Sequence, residues 1–222
     1  LKLLLFNNRI YGLTKGQYSP TSEKGKVTKT TPFGSVDYPF NPTMLATGSE
    51  ATFVARSIDR NPKHLQDMIK RVGKHKGIAF LEIYQNCNIF NDGAFALLTE
   101  KETKDDNVLV LEHGKPMVFG KDGSKGIKLD GFNPVVVDLT NGKYSKDDLW
   151  IHDEFEESPV RSCILSTFTE IPGLPTPIGV FRQVFKPTYD EALFAQIEDV
   201  KKKKGLGELE KVLFGGNTWE VN

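Results

Sequence analysis

The stretch "LFNNRIYGLTKGQYSPTS", residues 5–22, decides how the whole chain is interpreted. An apolar run, "LKLLLF" at residues 1–6, turns there into two asparagines and a loop that holds two glycines, a threonine and a lysine. A short run that is nearly all apolar is typical of a strand buried on both faces of a parallel sheet. Because open α/β sheets bind ligands beyond the carboxyl ends of their strands, the stretch predicts a buried strand followed by a ligand-binding loop.

The composition limits the kinds of protein that this chain can be. Its 222 residues suit one domain with an appended tail, and 38% hydrophobic with 26% charged residues is an ordinary globular mixture. Basic and acidic residues both total 29, so the zero formal charge gives no sign of a nucleic-acid-binding surface. No apolar run approaches the roughly 20 residues of a membrane span. The two cysteines lie far apart, and composition alone favours a small buried side chain for each.

Downstream of the loop, the hydrophobic pattern predicts an α/β unit. "NPKHLQDMIKRVGKHKG", residues 61–77, repeats apolar residues at three- and four-residue spacing, which is typical of a helix, and Pro62 suits its first turn. "IAFLEIY", residues 78–84, is again almost wholly apolar and predicts a second buried strand. A short helix is expected across residues 46–54, with Ser49 as its N-cap. The order of strand, helix and strand indicates an α/β fold, a mostly parallel sheet flanked by helices.

The second half of the chain has a different character. Residues 108–139 hold short apolar runs broken by glycine, aspartate and lysine, which predicts a small β-rich excursion. A helix is expected to start at Ser145, and the proline-punctuated residues 171–184 are expected to be extended. "TYDEALFAQIEDVKKKKG", residues 188–205, predicts a helix whose closing lysine run is a solvated helix end. A short helix and an extended tail are expected in residues 206–222.

The loop at residues 7–22 carries groups that suit a metal and a diphosphate. A hard cation such as Mg²⁺ takes oxygen ligands, and the Asn8 side chain and the Ile10 carbonyl offer two of them. The two glycines let the backbone approach an anion, while Thr14 adds a hydroxyl and Lys15 a positive charge. A surface turn rich in asparagine and glycine explains the same residues equally well, so the residues alone leave both interpretations open.

The segment "NNRIYGLTKGQYSPTS" resembles the thiamine-diphosphate segment of the β subunit of 2-oxoacid:ferredoxin oxidoreductases, most closely the 2-oxoglutarate type. The resemblance implies a thiamine-diphosphate-binding fold, with Asn8 as the side-chain Mg²⁺ ligand and Ile10 as the main-chain ligand. It places Lys15 as the catalytic residue beside the thiazolium and the substrate's carboxylate. The residues implied to surround the cofactor are Thr14, Gly16 and Gln17.

A second segment, "LEIYQNCNIFN" at residues 81–91, resembles the part of that family that carries the fourth cysteine of a [4Fe–4S] cluster. The resemblance implies that Cys87 is a thiolate ligand of the cluster, while Cys163 matches no ligand and is expected in the core. The family's Gly-Asp-Gly segment and its three other cluster cysteines do not occur in this sequence. The chain is therefore expected to be the C-terminal portion of a β subunit. Residues 1–100 would complete the thiamine-diphosphate-binding domain, and residues 101–222 would form the β-rich excursion with the C-terminal helix and tail.

The resemblance implies an enzyme that decarboxylates a 2-oxoacid oxidatively to an acyl-CoA and passes electrons through the cluster to ferredoxin. Its implied partners are an α subunit in an α2β2 heterotetramer, ferredoxin and coenzyme A, in the cytoplasm, with no nucleic acid and no membrane. His113 and His152 are expected to be structural. Three alternatives stay open: a pyruvate or broad-range 2-oxoacid enzyme, a non-catalytic assembly or electron-transfer subunit of the same fold, and a thiamine-dependent decarboxylase without iron.

Overall fold

A computed structural model describes residues 1–216, 219 and 221 of the chain. The chain divides into two compact units, Leu1–Phe185 and Lys186–Asn222. The predicted extended tail falls partly on Asn217, Thr218, Glu220 and Asn222, which lie outside the described residues.

The first unit contains eight strands among its described residues, and five of them form the main sheet. In chain order the strands are β1 (Lys2–Asn7), β2 (Phe53–Ile58), β3 (Ala79–Tyr84), β4 (Val108–Val110), β5 (Val118–Phe119), β6 (Lys125–Asp130), β7 (Asn133–Asp138) and β8 (Thr176–Gln183). The main sheet has the order β1-β3-β2-β8-β4, and its only antiparallel pair among the described strands is β2 with β8. The predicted α/β architecture with a mostly parallel sheet is confirmed. The sheet takes β4 and β8 from the sequence after residue 100, and the division of the chain at that residue stays a prediction.

Helices cover both faces of the main sheet, as a buried parallel sheet requires. Those of the first unit are α1 (Pro42–Gly48), α2 (Pro62–Lys74), α3 (Ala96–Thr99), α4 (Lys104–Asn107) and α5 (Val160–Ser166). On one face, Met68 and Val72 of α2 pack against Phe53 and Leu81 of the central strands. Strands β2 and β3 are buried along their whole length, so neither shows the alternation of a half-buried strand. Strand β1, which was predicted to be buried on both faces, is instead the mostly exposed edge strand of the sheet, and Asn7 is its one buried residue.

The helix expected across residues 46–54 is wrong in its position. Helix α1 begins earlier because Pro42 occupies its first turn and the Asn41 side chain caps it, accepting a hydrogen bond from the Met44 amide at 2.9 Å. Ser49, predicted as the N-cap, is the C-cap instead. Phe53 already belongs to β2, whose burial on both faces removes the alternation that would have marked it as a strand.

The predicted β-rich excursion is confirmed as a three-stranded antiparallel sheet of β5, β6 and β7. No α-helix starts at Ser145; its side chain caps a single 3₁₀ turn, Lys146–Asp148. The chain becomes extended there because Trp150 is buried, and its backbone bonds to Met117 and Ile127. The extended segment predicted at residues 171–184 contains β8, which is buried inside the main sheet.

The second unit contains the two predicted C-terminal helices, α6 (Tyr189–Lys204) and α7 (Leu209–Phe214). Helix α6 begins with a capping box, in which the Thr188 side chain accepts from the Glu191 amide at 3.4 Å and the Thr188 amide donates to the Glu191 carboxylate at 3.0 Å. It ends at Gly205, whose φ of 77° is left-handed. Across the described part of the chain, no helix has both the length and the apolar character needed to cross a bilayer.

Candidate functional site

A buried ion pair lies near the carboxyl ends of the central parallel strands. Arg56 of β2 stands directly opposite Glu82 of β3, and its Nε lies 2.8 Å from the Glu82 Oε2, with both side chains 1% exposed. Burial raises the pKa of the Glu82 carboxyl, but the Arg56 charge and the hydrogen bonds from Asn7, Arg56 and Thr43 outweigh it and leave that pKa below its ordinary value. The pair is therefore charged, and either partner alone would be a costly buried charge.

Asn7, the last residue of β1, connects this ion pair to the following loop. Its Nδ2 donates to the Glu82 Oε1 at 2.8 Å, while its Oδ1 accepts from the Arg9 amide at 3.1 Å and from the Thr21 hydroxyl at 2.7 Å. Arg9 has a φ of 54°, an uncommon conformation for a residue other than glycine, and these bonds hold it there. Through Asn7, Arg9 and Thr21, which lie near the start and the end of residues 7–22, are both connected to the buried Glu82 carboxylate.

The loop after Asn7, residues 8–17, forms a tight turn. The Tyr11 amide donates to the Gln17 carbonyl at 2.8 Å, and the Gly16 amide donates back to the Tyr11 carbonyl at 3.0 Å. The Thr14 hydroxyl donates to the same Tyr11 carbonyl at 3.2 Å. Lys15 lies exposed at the tip with a φ of 62°. We call residues 8–17 the cofactor loop, because all the residues predicted to contact thiamine diphosphate or Mg²⁺ lie in it.

Asn8 and Ile10 lie at the base of the cofactor loop, and their oxygens suit a hard cation. The Asn8 Oδ1 accepts one long bond, from the Ile10 amide at 3.2 Å. Among the described residues, none donates to the Ile10 carbonyl. Two neutral oxygens within one turn of the backbone therefore remain available, which fits the oxygen ligands that Mg²⁺ shares with phosphates.

Cys87 lies in the loop that follows β3, residues 85–93, which we call the cysteine loop. The surrounding backbone, most of all the N–H of Phe90, lowers the pKa of the Cys87 thiol, although slight burial and Asp92 oppose this effect. A thiol that ionises readily is the form that binds metals. In the described ranges, no group of three or more His, Cys, Asp or Glu residues is placed to hold a metal ion.

The other residues considered from sequence lie in ordinary structural environments. Cys163 is partly buried on α5, and burial raises the pKa of its thiol. His152 is buried and its Nε2 donates to the Val180 carbonyl at 2.7 Å. His113 pairs with Asp153 at 3.3 Å.

The structure adds residues that the sequence interpretation missed. Arg56 and Glu82 anchor the site from inside the sheet, and Asn91 joins the cysteine loop to the cofactor loop through a 2.9 Å bond from its Nδ2 to the Asn8 carbonyl. A signal for the ion pair was present, because "FVARSI" and "AFLEIY" each place one charged residue in an otherwise buried strand. No sequence pattern pointed to Asn91.

Comparisons with known proteins support a thiamine-binding fold. Residues 1–83 match the family described as thiamine pyrophosphate enzyme, C-terminal TPP binding domain. The chain is 43% identical over 222 residues to 2-oxoglutarate oxidoreductase subunit KorB of Mycobacterium tuberculosis, and this match covers 99% of this chain and 59% of that protein. It is 41% identical over 112 residues to the 2-oxoacid:ferredoxin oxidoreductase subunit beta of Saccharolobus solfataricus, and this match covers 50% of this chain and 35% of that protein.

A solved structure agrees with these matches. The 2-oxoglutarate:ferredoxin oxidoreductase from Magnetococcus marinus, with 2-oxoglutarate, coenzyme A and succinyl-CoA bound, aligns with a TM-score of 0.63 and 25% identity. The alignment covers 96% of this chain and 56% of that one. The chain thus spans less than two thirds of the length of the relatives that it matches, and the predicted thiamine-diphosphate-binding fold is confirmed.

Proposed function

We propose that the chain serves as the C-terminal portion of a 2-oxoglutarate:ferredoxin oxidoreductase β subunit, because it is similar over nearly its whole length to subunit KorB of a 2-oxoglutarate oxidoreductase and over half of it to the β subunit of a 2-oxoacid:ferredoxin oxidoreductase. In this proposal the assembled enzyme converts 2-oxoglutarate and coenzyme A oxidatively to succinyl-CoA and CO₂, and passes the two electrons to ferredoxin. The observation that carries the proposal is the cofactor loop, which follows a parallel strand and presents the Asn8 and Ile10 oxygens from a rigid base.

Asn8 and Ile10 would hold Mg²⁺, and the metal would in turn hold the diphosphate. Gly16 has a φ of 99° and no side chain, so the backbone beside it can approach an anion closely. When bound, thiamine diphosphate supplies the nucleophilic carbon and the electron sink for decarboxylation. The ion pair of Arg56 with Glu82 fixes Asn7 and so keeps the loop in place before the cofactor arrives.

Lys15 would bind the carboxylate of the 2-oxoacid. Its left-handed backbone conformation places it at the exposed tip of the cofactor loop, where its ammonium group has no described ionic partner. A fixed positive charge beside the reacting carboxylate orients the substrate, and it is more effective when the assembled enzyme excludes water from the site.

Cys87 would supply one thiolate to a [4Fe–4S] cluster that receives the electrons one at a time. The backbone N–H groups that lower the pKa of its thiol also suit a metal-bound sulfur, because hydrogen bonds to cluster sulfurs tune the reduction potential. The other ligands would come from elsewhere in the assembled enzyme.

We further propose a cytoplasmic α2β2 complex with an α subunit. The exposed apolar side chains of the edge strand β1 support burial against further protein, since Leu3, Leu4 and Phe6 are 43%, 40% and 57% exposed. The broader 2-oxoacid range named for the Saccharolobus relative favours a second candidate, an enzyme that also accepts pyruvate. Turnover of the complete complex with 2-oxoglutarate and with pyruvate distinguishes the two candidates.

The thiamine site is tested by Asn8→Ala in the complete complex, with bound thiamine diphosphate measured as free Mg²⁺ is lowered. Loss of one of the few protein oxygens should raise the Mg²⁺ concentration needed for half occupancy. Asn141→Ala is the matched control, because the Asn141 Oδ1 accepts the same kind of local bond, from the Lys143 amide at 3.0 Å, in the turn after β7. Equal Mg²⁺ dependence in the Asn8 variant and wild type would contradict the assignment.

The cluster assignment is tested by Cys87→Ala, with Cys163→Ala as the matched control. The Cys87 variant should lose iron and ferredoxin reduction while it keeps Mg²⁺ and thiamine diphosphate, because the ligands of the latter lie in another loop. Normal iron content in the Cys87 variant would show that its thiol is not a ligand.

A further inference from the structure

The cofactor loop and the cysteine loop are packed against each other. Asn91 is 6% exposed, and its Nδ2 donates to the Asn8 carbonyl at 2.9 Å and to the Arg9 carbonyl at 3.4 Å. These two carbonyls lie in the main chain between the proposed Mg²⁺ ligands, the Asn8 side chain and the Ile10 carbonyl. One buried amide therefore holds the base of the cofactor loop.

The same residue fixes the turn that carries Cys87. The Asn91 amide donates to the Cys87 carbonyl at 2.9 Å, so residues 87–91 close into a tight turn. The Asn91 Oδ1 accepts from the Lys26 ammonium group, which also pairs with Glu23 at 3.0 Å. The side-chain amide of Asn91 thus bonds the cofactor loop and Lys26, while its backbone N–H bonds within the cysteine loop.

Phe90 adds an apolar contact between the two loops. Its ring lies over the glycines of the cofactor loop: a Cβ atom on Gly16 would come within 3.3 Å of the Phe90 Cδ1, and one on Gly12 within 3.9 Å of its Cδ2. The ring and the Asn91 amide contact the loop at two separate points, which restrains both its position and its orientation.

We propose that Asn91 is a positioning residue that locks the cysteine loop onto the cofactor loop and so fixes the Cys87 thiolate relative to the bound thiamine diphosphate. The inference rests on the proposed function for its redox role, because the lock matters for electron transfer only if both loops hold their groups. In the proposed function, Cys87 would help to hold a cluster that takes up one electron at a time, and ferredoxin would reoxidise the cluster between the two electrons. The rate of such transfer would depend on the separation between the two loops.

The sharpest variant is Asn91→Asp, which keeps the shape of the side chain. It removes the two donated bonds and places a carboxylate beside the carbonyl oxygens of Asn8 and Arg9, while the oxygen facing Lys26 remains. The matched control is Asn86→Asp in the same loop. Among the described residues, the Asn86 side chain bonds only within that loop: its Nδ2 donates to the Asp92 Oδ1 at 2.8 Å, and its Oδ1 accepts from the Gly93 amide at 3.0 Å.

The first measurement needs no activity. In the complete complex freed of its cluster and of thiamine diphosphate, hydrogen exchange should accelerate in the amides of residues 10–17 of the Asn91→Asp variant, and the Asn86→Asp variant should leave those amides unchanged. Unchanged exchange in the Asn91 variant would overturn the lock, whatever the outcome for the proposed function.

The second measurement follows the cluster in the loaded complex. The Asn91→Asp variant should keep its iron and, at saturating Mg²⁺ and thiamine diphosphate, should release CO₂ normally in a single turnover, because the bound cofactor and metal then hold the cofactor loop. Reduction of the cluster by 2-oxoglutarate should slow by about 10–100-fold, as for other outer-shell partners of metal sites. Reduction at the wild-type rate in the Asn91→Asp variant would overturn the positioning role, and so would parallel loss of CO₂ release. A wild-type complex without iron would instead refute the proposed function and leave the exchange result as the test of the lock.

Discussion

The main sheet and helix α6 use the same pairs of charges in opposite surroundings. Arg56 and Glu82 are 1% exposed and lie within the sheet, whereas the pairs of Lys201 with Glu198 and Lys203 with Asp199 are 47–71% exposed. All three have a short nitrogen–oxygen distance, between 2.7 and 2.8 Å. Distance therefore says little about what an ion pair contributes, because water screens and solvates the exposed pairs and is excluded from the buried one.

The largest effect is expected for Glu82→Ala. The variant leaves Arg56 buried without its counter-charge and frees Asn7 from its acceptor, so it should lower the free energy of unfolding by about 3–5 kcal/mol. Urea unfolding of the protein measures this loss. The matched control, Glu198→Ala in α6, should change stability by less than about 0.5 kcal/mol. Similar losses in both variants would remove the distinction between the two regions.

A double variant sharpens this result. Arg56→Met with Glu82→Leu removes both charges at once, and apolar replacements of buried ion pairs are often neutral or stabilising. The double variant should therefore be more stable than Glu82→Ala. It should nevertheless bind thiamine diphosphate less well than wild type, because Asn7 still lacks its acceptor.

A smaller effect is expected for Gly16→Ala, which tests the backbone of the cofactor loop. A side chain at a φ of 99° is strained, and its Cβ would meet the Phe90 ring at 3.3 Å, so a loss of about 1–2 kcal/mol is expected. Gly48→Ala is the control, since nothing lies within 4 Å of a Cβ at that helix end. It should be neutral or slightly stabilising. Thermal unfolding of the two variants measures the difference, and an equal response would argue against strain at Gly16.

The pH dependence of stability should also differ between the two regions, with a loss at low pH in the main sheet and little change in α6. The folded state lowers the pKa of Glu82. The contribution of the ionised Glu82 to the free energy of unfolding is therefore complete above the ordinary glutamate pKa of about 4.3, and it is lost as the pH falls through the lower pKa of the folded state. The stability advantage of wild type over Glu82→Gln should therefore shrink below pH ~4. A Glu198→Gln variant should stay close to wild type throughout. A constant gap between wild type and Glu82→Gln down to low pH would contradict the lowered pKa.

The smallest effect is expected for Lys201→Ala in α6. Its ion pair with Glu198 is exposed, so stability should fall by about 0.5 kcal/mol or less, and the difference should vanish in high salt. A larger loss that persists in salt would mean that α6 is buried in the assembled enzyme and that the contrast with the main sheet holds only for this chain.

Much of the local structure could be predicted from the sequence. Strand β3, helix α2 and helix α6 appear where their patterns placed them, because apolar spacing and capping residues act within a few positions. The wrongly predicted helix at residues 46–54 also results from the use of local spacing. A central strand buried on both faces has no alternating pattern, so "FVARSI" could not be told from a buried helix by its spacing alone.

The candidate site divides in the same way. The residues of the cofactor loop could be proposed from the sequence because they are contiguous, and a resemblance to a known segment can be recognised in contiguous residues. Asn91 was missed because nothing in "NCNIFND" shows that its side chain reaches a carbonyl 83 positions earlier in the chain. Arg56 and Glu82 were missed as a pair because the register between β2 and β3 is not written in either strand.

The sequence by itself determined most of the elements of this protein, the loop after β1 that resembles a thiamine-diphosphate segment, and the family to which its segments are similar. Propensity, periodicity and motif residues are properties of neighbouring positions. Only the tertiary structure decided that β8 enters the sheet antiparallel beside β2, that a buried ion pair anchors Asn7, and that Asn91 joins the cofactor loop to the cysteine loop. Those features depend on which distant groups are buried together, since a buried polar atom must find its partner wherever the fold brings one within hydrogen-bonding distance.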